Sequence, residues 1–366
     1  MTAVEIFKFL ERDVLGQKEV LQFVAVAIYK HLQGEPFGNL MMIGNSGTGK
    51  TTVMRAMEKL YMGHPDFEKY RAVIVMNANT FATEEGIIDL GTFYIRLEER
   101  AKKILGPNAT AEQIGTFMEH ATVCLDEIDK CSGMVGGKPY VTGINIQQAL
   151  LTLIEGQEID HIVTVTRDGV TSSEPVTLHT GKMLFLCAGA FETLYDQVFT
   201  RVTSPTSRVK LPTETVYEDG EVQIREYFTL RHHFRQEDLF DFGMQPQFLS
   251  RFDNSIILED LDGDLLKRIL VEPDDAVFRT SQKFFAKMGI RLDITDGAAR
   301  KIATEAAQHA RIGARALKAV YGKMIKPFEY DPYGNADVIR EGDGYRLTIN
   351  EEIVNRSLKP AYEQLT

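Results

Sequence analysis

The segment Gly44-Asn45-Ser46-Gly47-Thr48-Gly49-Lys50-Thr51, with Thr52 behind it, constrains this chain more than any other part of it. It fits the pattern G-x-x-x-x-G-K-[ST], and its flanks fit as well. Asn39-Leu40-Met41-Met42-Ile43 before it is a short apolar run that reads as a buried strand. After it, apolar residues fall at 53, 54, 57 and 60, the spacing of a helix. Strand, glycine loop and helix in that order make a cradle for phosphate. The glycines let backbone N–H groups turn inward, and the helix N-terminus adds partial positive charge. Lys50 brings a full charge, and the Thr51 hydroxyl can ligate Mg2+. Residues 44–52 therefore read as the phosphate-binding loop of a nucleotide site.

Further strands are predicted at 72–77, 121–125 and 183–187, with helices at 18–32, 92–105 and 145–154. Strands that alternate with helices predict an α/β fold, a parallel sheet covered by helices. Ligands in such folds sit at the carboxyl ends of the strands, where both Gly44 and Asp126 fall. Residues 162–170 read as a hairpin arm turning at Asp168-Gly169. Residues 192–235 read as an exposed insertion, since 200–222 are rich in Thr, Ser, Pro and charge. From about 262 the pattern is helical, with candidates at 263–288, 296–310 and 312–328. A strand pair at 336–340 and 345–349 follows, turning at Gly342-Asp343-Gly344. The expected organisation is a large α/β domain over 1–260 and a smaller, mostly helical domain over 261–366.

Composition narrows the function classes. The net charge of −11 argues against a general nucleic-acid binder. Cys124, Cys131 and Cys187 form no C-x-x-C pair, and two lie in apolar runs, which fits reduced thiols of a cytoplasmic protein. No apolar run has transmembrane length, and the first residues lack the basic and apolar regions of a signal peptide. The histidines have no metal-ligand spacing.

Cys124-Leu125-Asp126-Glu127 is the second chemical signal. An acid at the end of a buried strand, downstream of a phosphate loop, can hold Mg2+ directly or through water. The adjacent Glu127 can polarise a water for in-line attack on the γ-phosphate. The pair favours hydrolysis over transfer to a metabolite, because nothing marks an acceptor pocket.

Other stretches carry a resemblance. Val14-Leu15-Gly16-Gln17 is similar to a "VIGQ" loop, and Leu125-Asp126-Glu127-Ile128-Asp129-Lys130 to "IDEIDK". Gln147-Gln148-Ala149-Leu150-Leu151 and Leu153-Ile154-Glu155-Gly156 resemble "QQALLKLIEG"; Gly189-Ala190-Phe191 matches "GAF". Asp241-Phe242-Gly243-Met244 with Pro246-Gln247-Phe248-Leu249-Ser250-Arg251 is similar to "KFGLIPEFIGR", and Gly313-Ala314-Arg315-Ala316-Leu317 to "GARGL". Found in this order, they make the chain resemble an AAA+ ATPase of the Clp group, closest to the ClpX-type unfoldases and related to HslU. The resemblance implies ATP and Mg2+ as ligands and a homo-oligomeric ring, a hexamer, that acts on a protein client. It implies that Val14 and Leu15 touch adenine and that Arg251 is an arginine finger reaching a neighbour's γ-phosphate. It makes Arg315 the second sensor arginine, coupling nucleotide state to the lid. Cys187-Ala188-Gly189-Ala190, in the first sensor region, offers no Asn or Thr for that polar role.

The departures matter as much. No N-terminal zinc-binding domain is expected, because the ATPase region begins almost at Met1 and three scattered cysteines could not build one. The pore loop, Gly-aromatic-Val-Gly in the family, reads Gly86-Ile87-Ile88-Asp89, which loses the sequence-tolerant ring. The basic second loop is replaced near 165–180 by Thr, Ser, Glu and the single Arg167. Residues 192–235 contain no apolar-Gly-Phe tripeptide for docking a peptidase. The leading expectation is an ATP-driven remodeller of a dedicated protein partner, working without the usual peptidase. The alternatives are a protease-linked unfoldase with another docking surface and a nucleotide-switched loader acting on nucleic acid.

Overall fold

The computed structural model of the chain describes residues 1–35, 39–83, 85–167, 170–218, 221–226, 228–308 and 313–358. Two compact units divide it. The first takes Met1–Leu10, Glu19–Gly44 and Val53–Leu258; the second takes Glu11–Lys18, Asn45–Thr52 and Glu259–Thr366.

The strands of the first unit are, in chain order, β1 (Asn39–Ile43), β2 (Val73–Asn77), β3 (Thr122–Asp126), β4 (Met134–Val135), β5 (Lys138–Pro139), β6 (Glu158–Arg167), β7 (Val170–His179), β8 (Leu184–Gly189), β9 (Thr213–Glu218), β10 (Glu221–Glu226) and β11 (Phe252–Ile257). Five of them form the central sheet in the order β11-β1-β8-β3-β2, and every pairing is parallel. All of β1 and β8 is buried, because a parallel sheet is sealed on both faces. That is why these strands read as unbroken apolar runs. The edge strand β2 alternates at its end, with Val75 exposed. Polar residues that enter the sheet interior are bonded: the Thr122 hydroxyl donates to the Tyr61 hydroxyl (3.3 Å), and Asn39 donates through Nδ2 to the Arg251 carbonyl (3.2 Å) and accepts the Phe185 N–H at Oδ1 (3.1 Å). Both ends of its amide are satisfied, so its burial is tolerated. Cys124, Cys131 and Cys187 are buried and free, and burial pushes the thiols of Cys124 and Cys131 up to about 12.

The hairpin arm expected at 162–170 is longer than its periodicity suggested. β6 and β7 pair antiparallel over ten residues each, from Glu158↔His179 to Arg167↔Val170. The Asp168-Gly169 turn lies outside the described residues. Glu98, on the Gly91–Leu105 helix, accepts from the Thr164 N–H (3.2 Å) and pairs with His161 Nε2 (2.7 Å), tying β6 down. The insertion also departs from expectation. It opens with the helix Glu192–Thr203, which buries Leu194, Val198 and Val202, and continues into the β9–β10 hairpin. Polar composition had hidden the alternation of Val222 and Ile224. Arg201 on that helix grips the buried Asp238 with two bonds, Nε to Oδ1 (2.8 Å) and Nη2 to Oδ2 (2.9 Å).

The second unit carries β12 (Ile290–Ile294), β13 (Val338–Glu341) and β14 (Gly344–Ile349) in the order β12-β14-β13. The hairpin β13–β14 stands where the sequence placed it, with Gly342 at φ +61° in its turn. The helix expected over 263–288 is two, Gly263–Val271 and Val277–Ala286. Pro273 lies in the break, where its missing N–H and fixed ring end the first helix. The parallel strand β12 was not expected; five residues are too few to stand out beside long helices. Asp296–Ala307, Ala314–Tyr330 and Glu351–Leu358 complete the unit around a core that includes Leu270, Phe285, Ile302, Leu317 and Ile353.

His31 gives this fold a pH signature. It is 3% exposed, and its Nε2–H donates to the Lys182 carbonyl (2.9 Å). Burial lowers its pKa from 6.5 to about 4. The unfolded chain therefore takes up this proton at higher pH than the folded chain. Stability from this group is complete above pH 6.5 and is lost as the pH falls from there toward 4, by about 3 kcal/mol. Urea titrations between pH 7 and 4.5 should show this loss, and His31→Gln should flatten it. Equal pH slopes in both proteins would refute the assignment.

Candidate functional site

The buried β1 delivers the chain to Gly44, whose N–H donates to the Gly189 carbonyl at the end of β8 (3.2 Å). Beyond it the backbone takes two turns that favour glycine: φ is +80° at Gly47 and +110° at Gly49. A Cβ at Gly49 would meet no heavy atom within 4 Å, so the loop is open on that side. Inside the loop three donors converge on the Asn45 carbonyl: the Thr48 N–H (3.4 Å), the Thr48 hydroxyl (2.9 Å) and the Lys50 ammonium (2.9 Å). Lys50 is also the first residue of a 14-residue helix, Lys50–Gly63. The first N–H groups of a helix have no partner within it, and they point where an anion would sit. Thr51 and Thr52 are exposed at this start. Positive-φ glycines, an open side, a helix N-terminus and an inward lysine suit a polyphosphate.

In the second unit the loop has close neighbours. The Ala314 N–H, at the start of the Ala314–Tyr330 helix, donates to the Gly47 carbonyl (3.1 Å). A Cβ on Gly313 would lie 2.9 Å from the Gly47 carbonyl and 3.1 Å from that of Ser46, so only glycine allows this approach. Arg315 follows at once and is exposed. The Val14–Gln17 loop lies here too: Gln17 donates to the Thr48 carbonyl (3.1 Å), Val14 is buried and Leu15 is half-buried. Asn45 Nδ2 donates to Asp260 Oδ1 (2.8 Å). The structure thus groups residues 14–17, 45–52, 260 and 313–315. Gln17, Asp260 and Gly313 were not singled out in the sequence, because what matters is what they touch.

In the first unit, β1, β8 and β3 are neighbours, so Gly44, Ala190-Phe191 and Asp126-Glu127 stand together at the carboxyl edge. Glu127 is exposed and left-handed, at φ 57° and ψ 36°. Its N–H donates to Asp126 Oδ1 (2.9 Å), and its carbonyl accepts the Lys130 N–H (3.0 Å). Phe191, after β8, is left-handed too. The buried Asp129 joins these turns by accepting the Ala190 N–H (3.2 Å). A non-glycine residue held left-handed costs on the order of 1 kcal/mol, and such strain gathers at working sites. Among the described residues no three His, Cys, Asp or Glu side chains are grouped to hold a metal. A Mg2+ ion here would draw its remaining ligands from phosphate and water.

Arg251 lies elsewhere on this unit, between the Pro246–Leu249 helix and β11, and is 45% exposed. Its guanidinium pairs with Glu155, which follows the Val141–Ile154 helix. Gly86-Ile87-Ile88-Asp89 forms a tight loop. Gly86 has φ +80°, the Thr83 N–H donates to the Ile87 carbonyl (2.8 Å), and the Thr83 hydroxyl accepts the Ile87 N–H (3.2 Å). The loop presents the Ile87 side chain 61% exposed. The β4–β5 hairpin, which the sequence reading missed, presents Val135 in the same way.

The family described as "AAA domain (Cdc48 subfamily)" matches residues 35–255. The chain is 30% identical over 343 residues to the ATP-dependent Clp protease ATP-binding subunit ClpX of Azotobacter vinelandii, covering 87% of this chain and 71% of that protein. It is 29% identical over 359 residues to ClpX 3 of Methylococcus capsulatus, covering 91% of this chain and 77% of the relative. It is also 29% identical over 337 residues to ClpX of Porphyromonas gingivalis, covering 87% and 74%.

The strain at Glu127 is measurable without any ligand. Glu127→Gly relieves strain on the order of 1 kcal/mol but adds about 0.4–1 kcal/mol of unfolded-chain entropy, so the thermal midpoint should stay level or rise slightly while the carboxylate is deleted. A lowered midpoint would show that the turn is not strained.

Proposed function

Because the chain belongs to the AAA family, as a ClpX-like AAA+ ATPase, we propose that it forms a ring of identical subunits, a hexamer, that spends ATP hydrolysis on remodelling a protein client. The observation that carries this reading is the carboxyl edge of the first unit. There Asp126 ends β3 and Glu127 follows it, with β8 lying between β3 and β1, the strand that leads to Gly44. Residues 44–52 would hold the triphosphate, with Lys50 on its outer phosphates. Thr51 and Asp126 would be the protein's ligands to Mg2+, which when bound draws charge from the phosphate oxygens. Glu127 would accept a proton from the attacking water. Val14 and Leu15 would lie against adenine, and Arg315 would contact phosphate in its own subunit. We assign 1–260 to the large ATPase domain and 261–366 to the lid.

Arg251 would complete the site of a neighbouring subunit. Its support is its partial exposure and a partner, Glu155, that is itself 39% exposed, so the pair is cheap to break. Ile87 would give the client an apolar contact without a ring. The proposed client is a dedicated protein partner, worked on without a barrel peptidase; the support is the absence of an apolar-Gly-Phe tripeptide from 192–235. A second reading, a protease-linked unfoldase, is favoured by the relatives, which are named as ATP-binding subunits of Clp protease. Action on nucleic acid is disfavoured by the net charge of −11. No helix among the described residues is long and apolar enough to cross a membrane, and we place the ring in the cytoplasm.

Glu127→Gln should bind ATP as tightly as the parent and turn it over at least about 100-fold more slowly. Unchanged turnover would defeat the base assignment. The two client readings separate when the purified chain is mixed with a tagged substrate and a co-resident barrel peptidase. No degradation is expected, and ATP-dependent degradation would favour the protease-linked form.

A further inference from the structure

Gln17 is 2% exposed and uses its whole amide. Nε2 donates to two carbonyls, those of Thr48 (3.1 Å) and Glu259 (2.9 Å), and Oε1 accepts the Glu259 N–H (3.0 Å). The orientation is fixed by its partners: a flipped amide would set oxygen against two oxygens and N–H against N–H. A second tie runs beside it, from Asn45 Nδ2 to Asp260 Oδ1 (2.8 Å). The two loop residues so held are already joined, since Thr48 donates to the Asn45 carbonyl through both its N–H and its hydroxyl. The two residues on the other side are consecutive, at the start of the chain's run into the second unit. Two residues on, Asp262 caps the Gly263–Val271 helix by accepting the Leu265 N–H (2.7 Å). Gly16 lets the Gln17 loop approach that helix, because a Cβ there would lie 2.2 Å from a Leu265 methyl and φ is +79°.

We infer that Gln17 and Asp260 form a strap that reports occupancy of the phosphate loop to Glu259–Asp260, and so to the helix that begins at Gly263. Gln17 is a positioning residue: it touches the loop's backbone, not the phosphates. The Lys50 ammonium is the input. A phosphate in the loop competes with the Asn45 carbonyl for it, and Asn45 and Thr48 are the residues the strap grips. Its ties are short and one is fully buried, so a shift of the loop backbone is carried to residue 259 instead of being absorbed by solvent. This rests on residues 44–52 being the ATP site.

The test is hydrogen exchange on the full chain with and without MgADP. In the parent, MgADP should protect the amides of 44–52 and also those of 259–265. In Gln17→Met, which keeps the bulk and removes all three bonds, MgADP should still protect 44–52. Its affinity should fall about tenfold, and the added protection at 259–265 should drop at least about fivefold. Asp260→Ala, which cuts only an exposed tie and so keeps the fold, should lose part of that remote protection. Parent-like protection at 259–265 in Asp260→Ala, or in a folded Gln17→Met, would overturn the strap. A uniform loss of protection over the whole second unit would also overturn it, as plain destabilisation. Failure of MgADP to protect 44–52 in the parent would instead overturn the site itself.

Discussion

Three adjacent parallel strands, β1, β8 and β3, are sealed on both faces, and the arrangement of the first unit follows from that burial. Their interiors can carry almost no polar group; Asn39 is admitted because both ends of its amide are bonded. Chemistry is then confined to the strand ends. All three strands run the same way, so their carboxyl ends share one edge. That edge brings Gly44, Phe191 and Asp126-Glu127 together from sequence positions up to 147 residues apart. The rigidity of the sheet also sustains two left-handed non-glycine residues, Glu127 and Phe191, that a softer frame would relax.

The second unit treats the phosphate loop differently. It holds the loop by its backbone carbonyls: Gly47 by the Ala314 N–H and Thr48 by Gln17. Contacts of this kind hold the loop by its carbonyls, while the Thr48 N–H and the Lys50 ammonium turn inward onto the Asn45 carbonyl. They also make the loop's shape a property of the second unit's own segments. The glycine at 313 is explained by the same contact, since any side chain there would strike the loop.

Much of this was legible in the residues. β1 matches its expected bounds, 39–43, and β2, β3 and β8 lie within two residues of theirs because double-sided burial writes continuous apolar runs. Thr51, Asp126 and Glu127 stand out in the sequence because phosphate chemistry asks for those types at those offsets, and the structure places Thr51 at a helix start and the two acids at the end of β3. β11 was not read, because Phe252–Ile257 mixes buried and exposed positions at a sheet edge. β12 and β9–β10 were missed because short, polar strands resemble loops, and the break at Pro273 was overlooked inside a helical pattern. Asp260 carries no signal in one dimension, and Gln17 stands out only as the end of the Val14–Gln17 motif; the bonds to residues 259 and 260 join positions more than 200 residues apart.

If the proposed ATP site is finished by a neighbouring subunit, two crippled proteins should restore each other when mixed. On the proposed roles, Glu127→Gln would lack the base and Arg251→Ala the finger, so each alone should be inactive. In a heterologous ring, some interfaces of the mixture pair an intact Glu127 with a neighbour's intact Arg251, and turnover should recover to about a quarter of the parent's. A mixture that forms rings yet stays as inactive as either variant alone would contradict a shared site.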